Sequence, residues 1–145
     1  MIFVFGRDVD CDRASCQNTL MKIEHFAFNV PDPNAMGRWY VTNLGFTVKR
    51  RLVEPPYTHF LADDTGTMMI EIYRQDAPVL ENTHVLSLHL ALVSEDVDAD
   101  VERLVEAGGV LDGEIMSVPS GDRFAMVRDP WGFTLQLVSR SEPMV

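Results

Sequence analysis

At 145 residues the chain holds one domain with a sizeable core and little room for a second. A net charge of -10 disfavours nucleic acid, whose phosphates need Lys and Arg to displace counterions, and it disfavours anionic membrane surfaces equally. The hydrophobic fraction of 46% is ordinary for a globular protein, and no apolar run approaches the roughly 20 residues that cross a bilayer.

The opening run Ile2-Phe3-Val4-Phe5 is short and follows no basic segment, so it lacks the parts of a secretory signal and the expected location is cytoplasmic. Residues 1–20 match no amphipathic period and read as an N-terminal extension, either a flexible arm or an added edge strand. Both cysteines, Cys11 and Cys16, fall in it. Two nearby thiols make neither a disulfide framework nor a zinc motif, so both are expected to be reduced.

From Met21 the chain divides into two related units, giving an expected domain over 21–141. Residues 23–30 alternate as a strand, with Phe26 and Phe28 on one face and His25, Ala27 and Asn29 on the other. Residues 86–93 repeat that pattern sixty-four positions later: Leu88, Leu90 and Leu92 share a face, with Ser87, His89 and Ala91 opposite. Each strand leads through an acidic turn, at Asp32 and at Asp96, into a helix expected over 35–43 and 97–107. Both helices are expected to stop at glycine, Gly45 and Gly109, each twenty residues after its histidine. Three shorter strands should follow each helix: 46–53, 58–62 and 67–73, then 113–117, 123–128 and 133–139. Residues 75–85 are the linker, with His84 as an exposed loop residue.

The large apolar side chains of these strands belong against the helices, and the small ones leave a hollow on the opposite face. Glu71, between Ile70 and Ile72, and Gln136, between Leu135 and Leu137, point into that hollow with His25 and His89. Polar residues on a wet sheet face are commonplace, but four at repeat-related positions are not. Two imidazoles, a carboxylate and an amide oxygen suit a divalent transition metal and leave open positions on an octahedral ion.

The segments from Ile23 to Asp32, Trp39-Tyr40 ahead of Leu44-Gly45-Phe46, the stretch from Asp96 to Gly109, and Arg128-Asp129-Pro130-Trp131-Gly132-Phe133 before Leu135-Gln136-Leu137 together resemble the vicinal oxygen chelate superfamily. This is the glyoxalase, bleomycin-resistance and extradiol dioxygenase group. The resemblance implies an α+β fold of two βαβββ modules forming a U-shaped mixed sheet, with helices on the convex face. It also implies a site at His25, Glu71, His89 and Gln136 that holds Ni, Zn, Co, Mn or Fe in many members and no metal in others. The cavity is closed within one chain or across a homodimer.

The order His, Glu, His most resembles the lyase and isomerase branch, in which a metal acts as Lewis acid on a small oxygenated carbonyl compound and a carboxylate moves a proton. Gln136 departs from that branch's closing glutamate, and an amide cannot abstract a proton at neutral pH. Glu71 is then the one candidate for both ligand and base. Asn29 stands where glyoxalase I commonly has a basic residue, which argues against glutathione. Arg38, Arg74, Arg123 and Arg128 are alternative sources of positive charge, and Tyr57, His59, Tyr73 and Trp131 are read as packing or rim. The alternative is a non-catalytic module that binds or sequesters a small molecule such as a drug. A third reading, an extradiol-type dioxygenase, requires a closing carboxylate on iron that Gln136 does not supply.

Overall fold

A computed structural model of the chain describes residues 21–80 and 82–144. The expected N-terminal extension, its possible edge strand and both cysteines lie outside the described residues.

Strand β1 (His25–Asn29) leads into helix α1 (Pro33–Leu44), and then into β2 (Thr47–Arg51), β3 (His59–Ala62) and β4 (Met69–Tyr73). The second unit runs β5 (Leu90–Val93), α2 (Val97–Glu106), β6 (Val110–Leu111), β7 (Met116–Ser117), β8 (Arg123–Arg128) and β9 (Thr134–Ser139). Each unit forms its own mixed sheet. The first has the order β1-β4-β3-β2, and the second the order β5-β9-β8-β6 with β7 also on β8. In both, the opening strand lies parallel to the closing strand and the remaining pairs are antiparallel. The architecture is α+β, and the sequence repeat recurs in the strand order of the two sheets, with four strands in the first and five in the second.

Both helices start the same way. Asp32 accepts a hydrogen bond from the Ala35 amide at 2.9 Å, and Asp96 accepts one from the Ala99 amide at 3.1 Å. Each carboxylate satisfies an amide that the first helical turn leaves without a partner. Pro33 occupies the first turn of α1, where a missing N–H costs nothing. We expect Asp32→Ala and Asp96→Ala each to cost about 1 kcal/mol of unfolding free energy, read as a lowered urea midpoint at unchanged slope.

The ends differ. Gly45 closes α1 in the left-handed region at φ 72°, as expected. At the end of α2 the left-handed residue is Gly108, at φ 96°, and not Gly109. Gly109 is required for another reason: a Cβ there would lie 2.9 Å from the Leu104 carbonyl oxygen and 3.0 Å from that of Arg128. The strand expected over 86–93 begins only at Leu90, because the chain still turns before it; the Ser87 amide donates to the His84 carbonyl at 2.8 Å. Of the strand expected over 113–117 only β7, at 116–117, forms, and a short β6 at 110–111 precedes it. Gly113, at φ 88°, sits between them and cannot continue a ladder.

One apolar core serves both units. Met36 and Tyr40 of α1, together with Val97, Val101 and Leu104 of α2, bury against Phe28, Leu61, Ile70, Ile72, Val127, Leu135 and Leu137 of the sheets. Polar ties cross between the units as well. The Trp39 indole N–H donates to the Ala107 carbonyl at 2.8 Å, and the Tyr40 hydroxyl donates to Asp129 Oδ2 at 2.9 Å. Among the described residues no helix is long and apolar enough to cross a membrane.

Candidate small-molecule site

The ladder registers place the expected site residues. In the first sheet Ala27 pairs with Glu71, and in the second Ala91 pairs with Gln136. His25 and His89 each precede that alanine by two residues, so each shares the alanine's face of the strand or its approach. The repeat therefore puts the same relation, histidine to alanine to acid or amide, into both sheets. Alanine at the middle position leaves room above the backbone for the two longer side chains.

His25 and Glu71 meet, with Nε2 3.3 Å from Oε2. The other ring nitrogen of His25 faces Glu24 Oε2 at 2.5 Å, and the ring stands edge-on to Phe60 at 5.8 Å between centroids. Phe60 pairs with Glu71 across β3 and β4, so it belongs to the same face. Strand alternation around His59 and Leu61 carried the signal for Phe60, which the sequence reading left unused. His89 Nδ1 donates to the Val85 carbonyl at 2.8 Å, which leaves Nε2 as the free position of the ring.

His25 and His89 line one cavity of about 260 Å³ between the edge strands β1 and β5. Its other walls are apolar: Ile23, Phe26 and Phe28, Met68 and Ile70, Leu88 and Leu90, and Phe133. Phe28 and Phe133, from different units, stack at 4.7 Å and form its floor toward the core. Glu71 touches His25 but is not part of the cavity wall, and Gln136 stays on the second sheet, half-buried. Among the described residues no group of three or more His, Cys, Asp and Glu side chains stands close enough to hold a metal. Among the described residues the donors that meet are His25 and Glu71.

Several other residues have structural partners. Asn29 is buried; its amide nitrogen donates to the carbonyls of Gln75 and Ala77 at 3.1 and 2.7 Å, and its oxygen accepts from the Gln75 amide. It pins the linker and presents no charge to a ligand. Arg123 is held by Asp98, and Arg128 by Asp112 and the Thr83 carbonyl. Trp131 packs edge-on to Trp39 at 6.4 Å, as a packing residue should. His84 is exposed in the linker. His59 lies on the helix-facing side of its sheet, in register with Ile72, and is 3% exposed.

Comparison with known proteins places these features. The family model described as "Glyoxalase/Bleomycin resistance protein/Dioxygenase superfamily" matches residues 22–137. Among curated proteins none matches. Three solved structures illustrate the likeness. TnmS3, an antibiotic binding protein from Streptomyces sp. CB03234, is 25% identical with a TM-score of 0.67; the alignment covers 86% of this chain and 99% of that one. A glyoxalase family protein from Bacillus cereus is 20% identical with a TM-score of 0.71, over 87% and 98% of the two chains. A glyoxalase I mutant from Zea mays is 22% identical with a TM-score of 0.66, over 83% of this chain and 46% of that longer one. The last two share the fold. With a family model spanning both units and a repeat that is legible in sequence and ladder alike, this chain belongs to the glyoxalase/bleomycin resistance protein/dioxygenase superfamily.

Proposed function

We propose that the chain binds a small apolar ring compound in the cavity between β1 and β5. The observation that carries this reading is the lining of that cavity: eight apolar side chains and two imidazoles around about 260 Å³. Such a wall gains free energy by excluding water from a ligand, and two imidazoles orient one or two polar atoms on it. The similarity to an antibiotic binding protein supports the same reading. Residues 21–141 are the functional unit in this proposal. Titration calorimetry with one- and two-ring aromatic compounds tests it. Micromolar binding is expected, and Leu88→Glu should weaken it at least about tenfold, because a carboxylate in an apolar wall must lose hydration. Failure of every ring compound to bind would sink the proposal.

A second reading is a divalent-metal-dependent lyase or isomerase acting on a small oxygenated carbonyl compound. It is favoured by the 3.3 Å approach of His25 to Glu71 and by the matching register of His89 and Gln136. Since among the described residues His25 and Glu71 are the donors that meet, this reading is developed with a homodimer that sets one sheet's donors against the other's. Apolar side chains such as Val93 at 82% exposure and Leu86 at 76% are consistent with a covered surface. Its test is titration with nickel or zinc beside measurement of mass in solution. A metal bound only by dimer, and lost in His25→Ala, is the expected result. Glu71→Gln then separates ligand from base, because it keeps an oxygen donor and removes basicity. Metal retention with lost turnover assigns proton transfer to Glu71, whereas retention of both removes it from that role.

A further inference from the structure

A second pocket lies at the other edge of the first sheet, beside β2, and its chemistry is unlike that of the cavity above. It is a groove of about 290 Å³ between α1 and the edge strand β2, lined by Asn34, Gly37, Arg38, Thr42, Arg51 and His59, with Val41 and Val48 as its apolar wall. The helix contributes positions three, four, seven and eight apart, so they form one continuous stripe along α1.

Three features of the groove belong together. First, among the described residues Arg38, Arg50, Arg51 and Arg74 have no carboxylate partner, whereas Arg103, Arg123, Arg128 and Arg140 each have one, and of the unpaired four Arg38 and Arg51 line this groove. In a chain of net charge -10, two unpaired arginines converging on one pocket are not explained by a shortage of acids. Second, His59 is 3% exposed yet contributes to the groove wall. Its Nδ1 donates to the Tyr57 carbonyl at 2.7 Å, so Nε2 is the position left for another partner, and among the described residues it has none. Third, Gly37 makes this placement possible, because a Cβ there would lie 3.0 Å from His59 Cδ2 and 3.4 Å from Nε2.

We propose that this groove binds a doubly charged phosphate-type oxyanion, held by Arg38 and Arg51 and facing Nε2 of His59. Guanidinium forks match the paired oxygens of a phosphate, and Asn34 and Thr42 add neutral donors at the rim. Val41 and Val48 give the organic part of a phosphomonoester a surface to rest on. Burial, together with the fields of Arg51 and Arg38, holds His59 below its ordinary value in the free protein, while the Tyr57 carbonyl and Asp32 pull the other way. An anion between the two arginines cancels their field and turns Nε2 into a donor, so binding is accompanied by proton uptake at His59. Asp32 makes no ion pair with either arginine among the described residues, and its Oδ1 caps α1.

The experiment follows the imidazole nitrogens of His59 by NMR in the full chain during titration with sodium phosphate, against sodium chloride at matched ionic strength. The expected result is a saturable shift with phosphate alone, weakened at least about tenfold by Arg38→Gln and by Arg51→Gln, as loss of a charge-assisted pair predicts. Both guanidiniums are exposed, so these variants retain the core. Sulfate, whose charge is constant near neutrality, should bind the wild-type chain more tightly at pH 6 than at pH 8, and equal binding at the two pH values would remove His59 from the site. Tighter binding of phenyl phosphate than of inorganic phosphate identifies a phosphomonoester as the ligand, and equal binding identifies the bare anion. A shift that fails to saturate, that chloride reproduces, or that both arginine variants leave intact overturns the proposal.

Discussion

Asp129→Ala is expected to cost about 4 kcal/mol of unfolding free energy, roughly what removing one partner from a buried charged network costs. Asp129 is 3% exposed and accepts three hydrogen bonds: Oδ2 from the Tyr40 hydroxyl at 2.9 Å, and Oδ1 from the amides of Trp131 and Phe133, both at 2.9 Å. Alanine leaves those three donors in the core without an acceptor. Tyr40 suffers most, since it is fully buried and its phenol, already raised far above its ordinary value by that burial, has no way to ionise or reach water. Asp129→Asn keeps one oxygen for the backbone amides and offers an N–H to the phenol oxygen, so it should cost less than half as much.

The same pair of variants has a signature in acid. Burial raises Asp129 above 3.8 despite the hydrogen bonds that lower it, so the folded state holds a proton that the unfolded chain has already lost. Across the window from 3.8 up to the raised folded value, the contribution of Asp129 to stability is therefore lost as pH rises. Urea unfolding of wild type and Asp129→Asn across that window checks the sign. The asparagine variant should lack this contribution, and an unchanged difference curve would contradict it.

Phe133→Ala should cost about 3–5 kcal/mol, the usual range for deleting a buried phenyl ring. Phe133 is 2% exposed, stacks on Phe28 of the other unit at 4.7 Å and lines the cavity between β1 and β5. Truncation removes the stack and enlarges the cavity toward the core at once. Its backbone amide also donates to Asp129, so the two sites touch. The double variant should accordingly lose less than the sum of the singles. A second readout separates stability from binding: a ring compound seated in the cavity should protect wild type against heat and protect Phe133→Ala less. Equal protection would place the ligand elsewhere.

Both predictions concern contacts between units, and these were the least legible part of the sequence. The repeat itself was open to reading, because strand alternation and helix capping are local. A sixty-four-residue offset brought His25 onto His89 and Asp32 onto Asp96, and the ladders preserve it as Ala27 with Glu71 and Ala91 with Gln136. Alternation also put Glu71 on the face of His25, and the two do meet. Where local preference was weak the reading slipped. Two adjacent glycines follow α2, and only the close approach of the Leu104 and Arg128 carbonyls tells which one needs the left-handed region and which needs the missing Cβ. The run Leu86-Ser87-Leu88 alternates as a strand would, yet it turns, with the Ser87 amide bonded back to the His84 carbonyl.

Residue order by itself thus determined the repeat, the two helices and the faces on which Glu71 and Gln136 stand in their strands. Each follows from side-chain period and from capping chemistry within a few residues. Tertiary structure alone decided how the two units meet. Phe28 reaches Phe133 and Tyr40 reaches Asp129 across long separations in sequence, and no local pattern encodes such contacts. That packing makes an apolar cavity between β1 and β5, lined by both His25 and His89, with Glu71 beside His25. It also buries His59 beneath α1 beside Arg38 and Arg51, a placement that depends on the absent side chain of Gly37.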